Sequence, residues 1–285
     1  MTGDKLTLPL YSKAPGARLH SKVWLPVGEP RAIVLLAHGY AEHLGRYEHV
    51  AARLNLSSYG VYAVDHWGHG RSDGVPGLVP AFSVYVDGVE ALLAQIKALH
   101  PAAPRILLGH SMGGLIAAAT LLRCQHEFVG AVLSGPAIKA AQEPPALTIA
   151  IARLLSRIAP RLGVLQLDGS LVSRDPQVVA DYLADPLVYK GKVGARLGAE
   201  LFAAMHEVQA NAARITLPML ILHGAKDGLA APAGSEFLLK HVGSVDKTLK
   251  LYPGLYHEVF NEPEQQRVLG EMVAWIDQHV ATPAQ

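Results

Sequence analysis

Cysteine is nearly absent: Cys124 is the single one in 285 residues, so no disulfide closes within the chain. That fits a reducing compartment without excluding export. An excess of one charge is also missing, because 25 Lys and Arg face 24 Asp and Glu, a net +1. Nothing in that balance points to nucleic acid as a partner. Only 17% of residues are charged and 50% are hydrophobic, which excludes bulk disorder and allows a sizeable core. No run approaches the ~18 apolar residues that span a bilayer. The opening stretch MTGDKLTLPLYSKAPGARLH has no apolar core of signal-peptide length. The expectation is an unprocessed cytoplasmic chain, with peripheral contact to membrane surfaces left open.

What is present is an alternation. Short apolar runs at 32–37, 61–64, 106–108, 131–134, 219–222 and 248–252 read as buried strands. Helix-length patterns at 48–57, 83–99, 113–123 and 234–242 separate most of them, and 264–279 reads as a final amphipathic helix. Near-continuous apolar strands between helices predict an α/β fold, a mostly parallel central sheet covered on both faces. The rhythm stops between about 137 and 213, where no strand run is evident and prolines punctuate helix-prone sequence. This stretch is expected to be an inserted helical cap, with 1–136 and 214–285 forming the core. Leu147, Ile151, Leu154, Leu155 and Ile158 share a helical face there, and Arg153, Arg157 and Arg161 form a stripe. An ordinary packing helix and a lid that meets lipid both fit that pattern.

The stretch Gly109-His110-Ser111-Met112-Gly113-Gly114 follows the run Ile106-Leu107-Leu108 and precedes the helical pattern Leu115-Ile116-Ala117-Ala118-Ala119. Small residues two positions either side of one serine are what a strained strand-to-helix elbow requires. Serine needs a base, and the base needs an orienting acid. Asp227 lies just past the run 219–222, in a loop at the edge where open α/β sheets build sites. Among the histidines after it, His241 and His279 sit on helices, whereas His257 follows the last strand and a Pro-Gly turn. The expected triad is Ser111, Asp227 and His257. The oxyanion donors are expected to be the backbone N–H groups of Met112 and Tyr40. No metal or cofactor is called for: His66 and His69 lack partner ligands, and His257-Glu258 does not begin a zinc motif because position 261 is Asn.

Four stretches carry a family resemblance: HGYAEHLGRY at 38–47, DHWGHGRS at 65–72, GHSMGG at 109–114 and YHE at 256–258. Together with YLADPLVY at 182–189 they resemble the α/β-hydrolase superfamily, and within it the bacterial monoacylglycerol lipases. The resemblance implies the α/β-hydrolase fold and hydrolysis of a monoacylglycerol to fatty acid and glycerol through an acyl-enzyme, without a cofactor. It also implies a polar glycerol pocket at Glu42, Arg46, His110 and Tyr182. Glu42 and Arg46, four residues apart, fit equally well as an ion pair that orients the oxyanion loop. Tyr40 departs from the small residue usual at that position. The same machinery would serve a lysophospholipase or a broad carboxylesterase, and a non-catalytic small-molecule binding protein is the rival from another class. The expected partner is a small lipid ester, with transient contact between the cap and a membrane surface or micelle left open.

Overall fold

The computed structural model describes residues 10–11, 17–140 and 154–280. The strands in chain order are β1 (Leu10–Tyr11), β2 (Arg18–Leu19), β3 (Ser21–Trp24), β4 (Ala32–Ala37), β5 (Tyr59–Val64) and β6 (Arg105–His110). They continue with β7 (Gly130–Ser134), β8 (Gly163–Leu165), β9 (Val193–Gly194), β10 (Met219–Gly224) and β11 (Lys247–Tyr252). Seven build one sheet in the order β11-β10-β7-β6-β4-β5-β3. All of its pairings are parallel except that of β3, which runs antiparallel to β5 at one edge.

The apolar strands alternate their side chains between two helical layers. Ile33, Leu35 and Leu107 pack with α2 (Ser83–Leu99) and α3 (Met112–Cys124). Val34, Leu36, Ile106 and Leu108 pack on the other face with α1 (Glu48–Asn55) and the C-terminal α7 (Gln265–His279). Burying each such side chain contributes about 1.5–3 kcal/mol, which explains why these strands are apolar on both faces. Ala117 and Ala118 are fully buried on α3, where small residues let the helix lie close to the sheet.

Between β7 and β10 the chain forms α4 (Pro176–Ala184) and α5 (Ala195–Asn211). Asp175 caps α4 by accepting from the Gln177 N–H at 2.9 Å, and Pro176 sets the first turn. Leu197, Ala204 and Val208 seat α5 on α3 within the main core. The reading of this stretch as strand-free is corrected, because β8 and β9 pair as an antiparallel ribbon. Strands of three and two residues, one fully exposed, carry no run or alternation to detect. The Arg stripe is also corrected. The helix there ends at 158, so exposed Arg157 lies on it while Arg161 falls in the turn after Pro160. Leu147, Ile151 and Arg153 lie outside the described residues. Leu154 and Ile158 turn outward, 59% and 69% exposed. After β10 comes α6 (Pro232–His241), which packs on β10 and β11. Among the described residues, no helix is long and apolar enough to cross a membrane.

Candidate active site

Because the sheet is parallel here, the chain leaves β6, β10 and β11 at one edge. Ser111 follows β6, Asp227 follows β10 and His257 follows β11. Ser111 stands between the last residue of β6 and the first of α3, with φ 56° and ψ −119°. A non-glycine residue reaches positive φ only when its surroundings enforce it. They do so here: the Ser111 N–H donates to Ser134 O at 2.9 Å, and Ser111 O accepts from Ala137 N–H at 3.0 Å. The flanking glycines are sterically required. A Cβ on Gly109 would lie 2.3 Å from Gly113 O, and one on Gly113 would lie 2.1 Å from Ala37 O. Met112 opens α3, so its N–H has no acceptor within the helix and faces outward at the positive end of the helix dipole.

Asp227 is anchored at every oxygen. Oδ1 accepts from the N–H groups of Leu229 and Ala230 at 2.8 and 2.9 Å. Oδ2 lies 2.6 Å from His257 Nδ1 and 3.0 Å from His223 Nε2. Burial alone would raise the Asp227 carboxyl, but the neighbouring His257 and these hydrogen bonds hold it well below the usual carboxylate range. His257 shows the reverse balance: burial lowers it, and Asp227 outweighs burial to leave it above an ordinary histidine. A buried imidazole whose Nδ1–H points at a fixed carboxylate offers Nε2 as a base.

The loop after β4 covers Ser111. A Cβ on Gly39 would come within 3.2 Å of the Ser111 Cβ and 2.8 Å of Glu42 Oε1. Glu42 accepts from the Gly39 N–H at 2.6 Å, from the Tyr47 hydroxyl at 2.7 Å and from Arg46 at 2.9 Å. Arg46 also forks onto Glu258, at 2.5 and 2.8 Å. Burial lifts Glu42 above the ordinary carboxylate value despite the pull of Arg46. For Glu258 the Arg46 fork outweighs burial and lowers it. His38 braces the loop from behind: its Nε2 accepts the His66 N–H at 3.0 Å, leaving Nδ1–H to donate to Gly39 O at 2.8 Å.

A cavity of about 630 Å3 opens over Ser111. Its polar lining includes Glu42, His110, Tyr182, His257 and Glu258, and Tyr40 and Met112 line it as well. The segment between β7 and β10 contributes apolar Leu165, Leu167, Leu171, Leu201, Phe202 and Met205, together with polar Gln166, Asp168 and His206. Of the sequence-derived pocket residues, Glu42, His110 and Tyr182 reach this cavity. Arg46 is corrected: it stands behind the lining, held by two carboxylates and covered by the Tyr182 ring at 4.7 Å. The ion-pair alternative is the one the fold adopts. His110 is buried against Ser134 Oγ at 3.2 Å, and burial, reinforced by His257, pushes it down to about 3, so it is neutral. Sequence reasoning missed Glu258, Tyr47 and His223. Only Glu258 carried a signal, its place next to His257.

A strained serine elbow, a carboxylate-bound histidine and a free helix-terminal N–H on this sheet define a serine hydrolase of the α/β-hydrolase class. A family model described as Serine aminopeptidase, S33, matches residues 28–264. The chain is 46% identical over 270 residues to a monoacylglycerol lipase of Mycolicibacterium smegmatis, covering 95% of this chain and 96% of the relative. The crystal structure of the Paleococcus ferrophilus monoacylglycerol lipase superposes with a TM-score of 0.83 at 32% identity, covering 92% of this chain and 99% of that one. A soluble variant of the Saccharomyces cerevisiae monoglyceride lipase, in complex with a substrate analogue, gives 0.84 at 27% identity over 99% and 98%. The chain belongs to the monoacylglycerol lipase family within the serine aminopeptidase S33 group.

Proposed function

We propose that this protein hydrolyses monoacylglycerols to fatty acid and glycerol, with Ser111, His257 and Asp227 as its triad. The carrying observation is the cavity at Ser111, whose lining combines the polar Glu42, His110, Tyr182 and Glu258 with the apolar Leu165, Leu167, Leu171, Leu201, Phe202 and Met205. A glycerol head fits the first and an acyl chain the second. Each buried methylene contributes about 0.8 kcal/mol, so chain preference follows cavity depth.

His257 Nε2 takes the Ser111 proton as Oγ adds to the ester carbonyl. The N–H groups of Met112 and Tyr40 receive the developing oxyanion, each worth about 2.7–4 kcal/mol of barrier. Asp227 keeps His257 in the required tautomer and stabilises the imidazolium. His257 then protonates the departing glycerol oxygen, and water activated by the same nitrogen hydrolyses the acyl-enzyme. Nothing in these steps requires a metal or cofactor. Neutral His110 and the Tyr182 hydroxyl serve as the glycerol contacts.

The proposed division is a core of 1–136 and 214–285 with a cap at 137–213. The boundaries follow the end of β7 at Ser134 and the start of β10 at Met219. Exposed Leu154, Ile158, Leu162 and Leu183, none of which lines the cavity, add apolar surface to the cap. Exposed Arg157 and Arg161 lie in the same segment. That combination suits transient contact with a membrane surface or micelle, from which the substrate is drawn.

The test compares fatty-acid release from a monoacylglycerol with release from the di- and triacylglycerols and the lysophospholipid of the same chain. A marked monoacylglycerol preference supports the polar lining as a glycerol site. Equal rates, or faster lysophospholipid cleavage, would move the assignment to a broader esterase or a lysophospholipase.

A further inference from the structure

The loop that carries Tyr40 is held from two sides. The core side is the Glu42 network described above. The second side belongs to the turn after α4. There, the Tyr189 N–H donates to Ala41 O at 2.8 Å. Ala41 is a buried non-glycine residue at φ 67°, in the left-handed region, directly after Tyr40. Two residues on, His43 Nδ1 accepts the Gly45 N–H at 3.1 Å, which places the ring proton on Nε2. That Nε2–H donates to Asp185 Oδ2 at 2.8 Å. Asp185 is itself fixed, with Oδ1 accepting from Leu187 N–H at 2.7 Å and its carbonyl accepting from Lys190 Nζ at 3.0 Å. The ring of Tyr189 meets the ring of Tyr40 edge-on, centroids 6.3 Å apart.

Three contacts from 185–189 therefore hold one short loop just after the Gly39–Tyr40 peptide: they reach the Tyr40 ring, the Ala41 carbonyl and the His43 ring. Ala41 holds a backbone conformation that an unrestrained alanine leaves, so its carbonyl bond fixes the chain at the residue next to Tyr40 and thereby limits the rotation open to the Gly39–Tyr40 peptide, which carries the Tyr40 N–H. The His43–Asp185 bond sets the position of the turn that makes that carbonyl bond. We propose that Asp185 and His43 are positioning residues for the oxyanion hole, coupling the seating of the cap to the aim of the Tyr40 N–H. The proposal rests on the reading of Tyr40 N–H as an oxyanion donor. It makes residues of the cap, outside the acyl pocket, contributors to transition-state binding.

The test uses the full chain with Asp185→Ala, His43→Ala, the double variant, and the conservative His43→Gln, which retains an N–H donor toward Asp185. Melting temperature and stoichiometric labelling of Ser111 by a phosphonate establish that each variant is folded. Two quantities are read: kcat and KM on a soluble short-chain ester, and affinity for an alkyl trifluoromethyl ketone relative to the matching secondary alcohol. The ketone reports the hole because Ser111 Oγ adds to its carbonyl carbon, the Ser111 proton passes to His257, and the former carbonyl oxygen becomes the oxyanion. The alcohol forms no such anion.

The expected result is a fall of about 10–100-fold in kcat with KM within twofold, the scale of a mispositioned catalytic group. The ketone preference should fall by the same factor, and His43→Gln should recover part of both. The double variant should be no worse than the worse single one. Unchanged kcat and ketone preference, a rise in KM alone, or losses that multiply in the double variant would each overturn the proposal. If the wild-type protein shows no preference for the ketone over the alcohol, the oxyanion reading itself falls, a result distinct from failure of the coupling.

Discussion

Replacing Arg46 with leucine separates the two roles that its sequence position allowed. In the structure its side chain is 11% exposed and spans Glu42 and Glu258, whose side chains are 4% and 5% exposed. Leucine would leave both carboxylates buried without their counter-ion. Breaking a buried pair by removing one partner costs about 3–5 kcal/mol. At about 2–4 °C per kcal/mol for a chain approaching this size, the melting temperature should fall by about 6–20 °C at pH 7.5. The effect should depend on pH in a defined direction. In the wild-type protein Arg46 holds Glu258 below its ordinary value, so that stabilisation is present above about pH 4.3 and fades as the pH falls through the folded value. Without Arg46, burial dominates and both carboxyls move up, so the variant takes up protons in its folded state as the pH falls. Thermal melts at one scan rate from pH 8 to 5 should therefore show the gap narrowing towards acid. A variant that melts within about 2 °C of wild type while KM for monoacylglycerol rises would refute this reasoning and return Arg46 to the glycerol pocket.

Other outcomes follow from the same geometry. The acid limb of kcat/KM should lie above the ordinary histidine value of about 6.5, because catalysis needs neutral His257 and its folded value is raised. Asp227→Asn should move that limb to lower pH and cost about 10^4-fold in kcat; an unmoved limb would show that another group titrates. Gly113→Ala would drive a Cβ into Ala37 O, so folded yield and Ser111 labelling should both collapse, and a variant with full activity would contradict the elbow packing. Leu154→Ser with Ile158→Ser should weaken hydrolysis of micellar substrate while sparing a short soluble ester. Equal losses on both would mean that these side chains only stabilise the cap.

Five of the seven main strands were readable because their apolar runs are buried on both faces, and a sixth, the half-buried edge strand β11, because Leu249 and Leu251 alternate with Thr248 and Lys250. The seventh, Ser21-Lys22-Val23-Trp24, is a short edge strand mixing polar and apolar residues, and it pairs antiparallel to β5. The three residues proposed as the triad were legible because each follows a strand that the run pattern revealed, and the elbow glycines mark the serine. The Glu42–Arg46–Glu258 cluster was half legible. Four residues join its first pair, whereas 212 separate Arg46 from Glu258, and only the parallel sheet brings those two loops together. The contacts of His43 and Ala41 with the turn after α4 had no sequence signal either, since they join a core loop to a segment without its own strand pattern.

The most direct test is fatty-acid and glycerol release from a monoacylglycerol by the wild-type protein and by Ser111→Ala under the same conditions. Wild type should release the two products in equal amounts, and Ser111→Ala should be folded and slower by about 10^6-fold. A wild-type protein inert on monoacylglycerol, or a Ser111→Ala variant that retains turnover, would contradict hydrolysis through an acyl-enzyme at this serine.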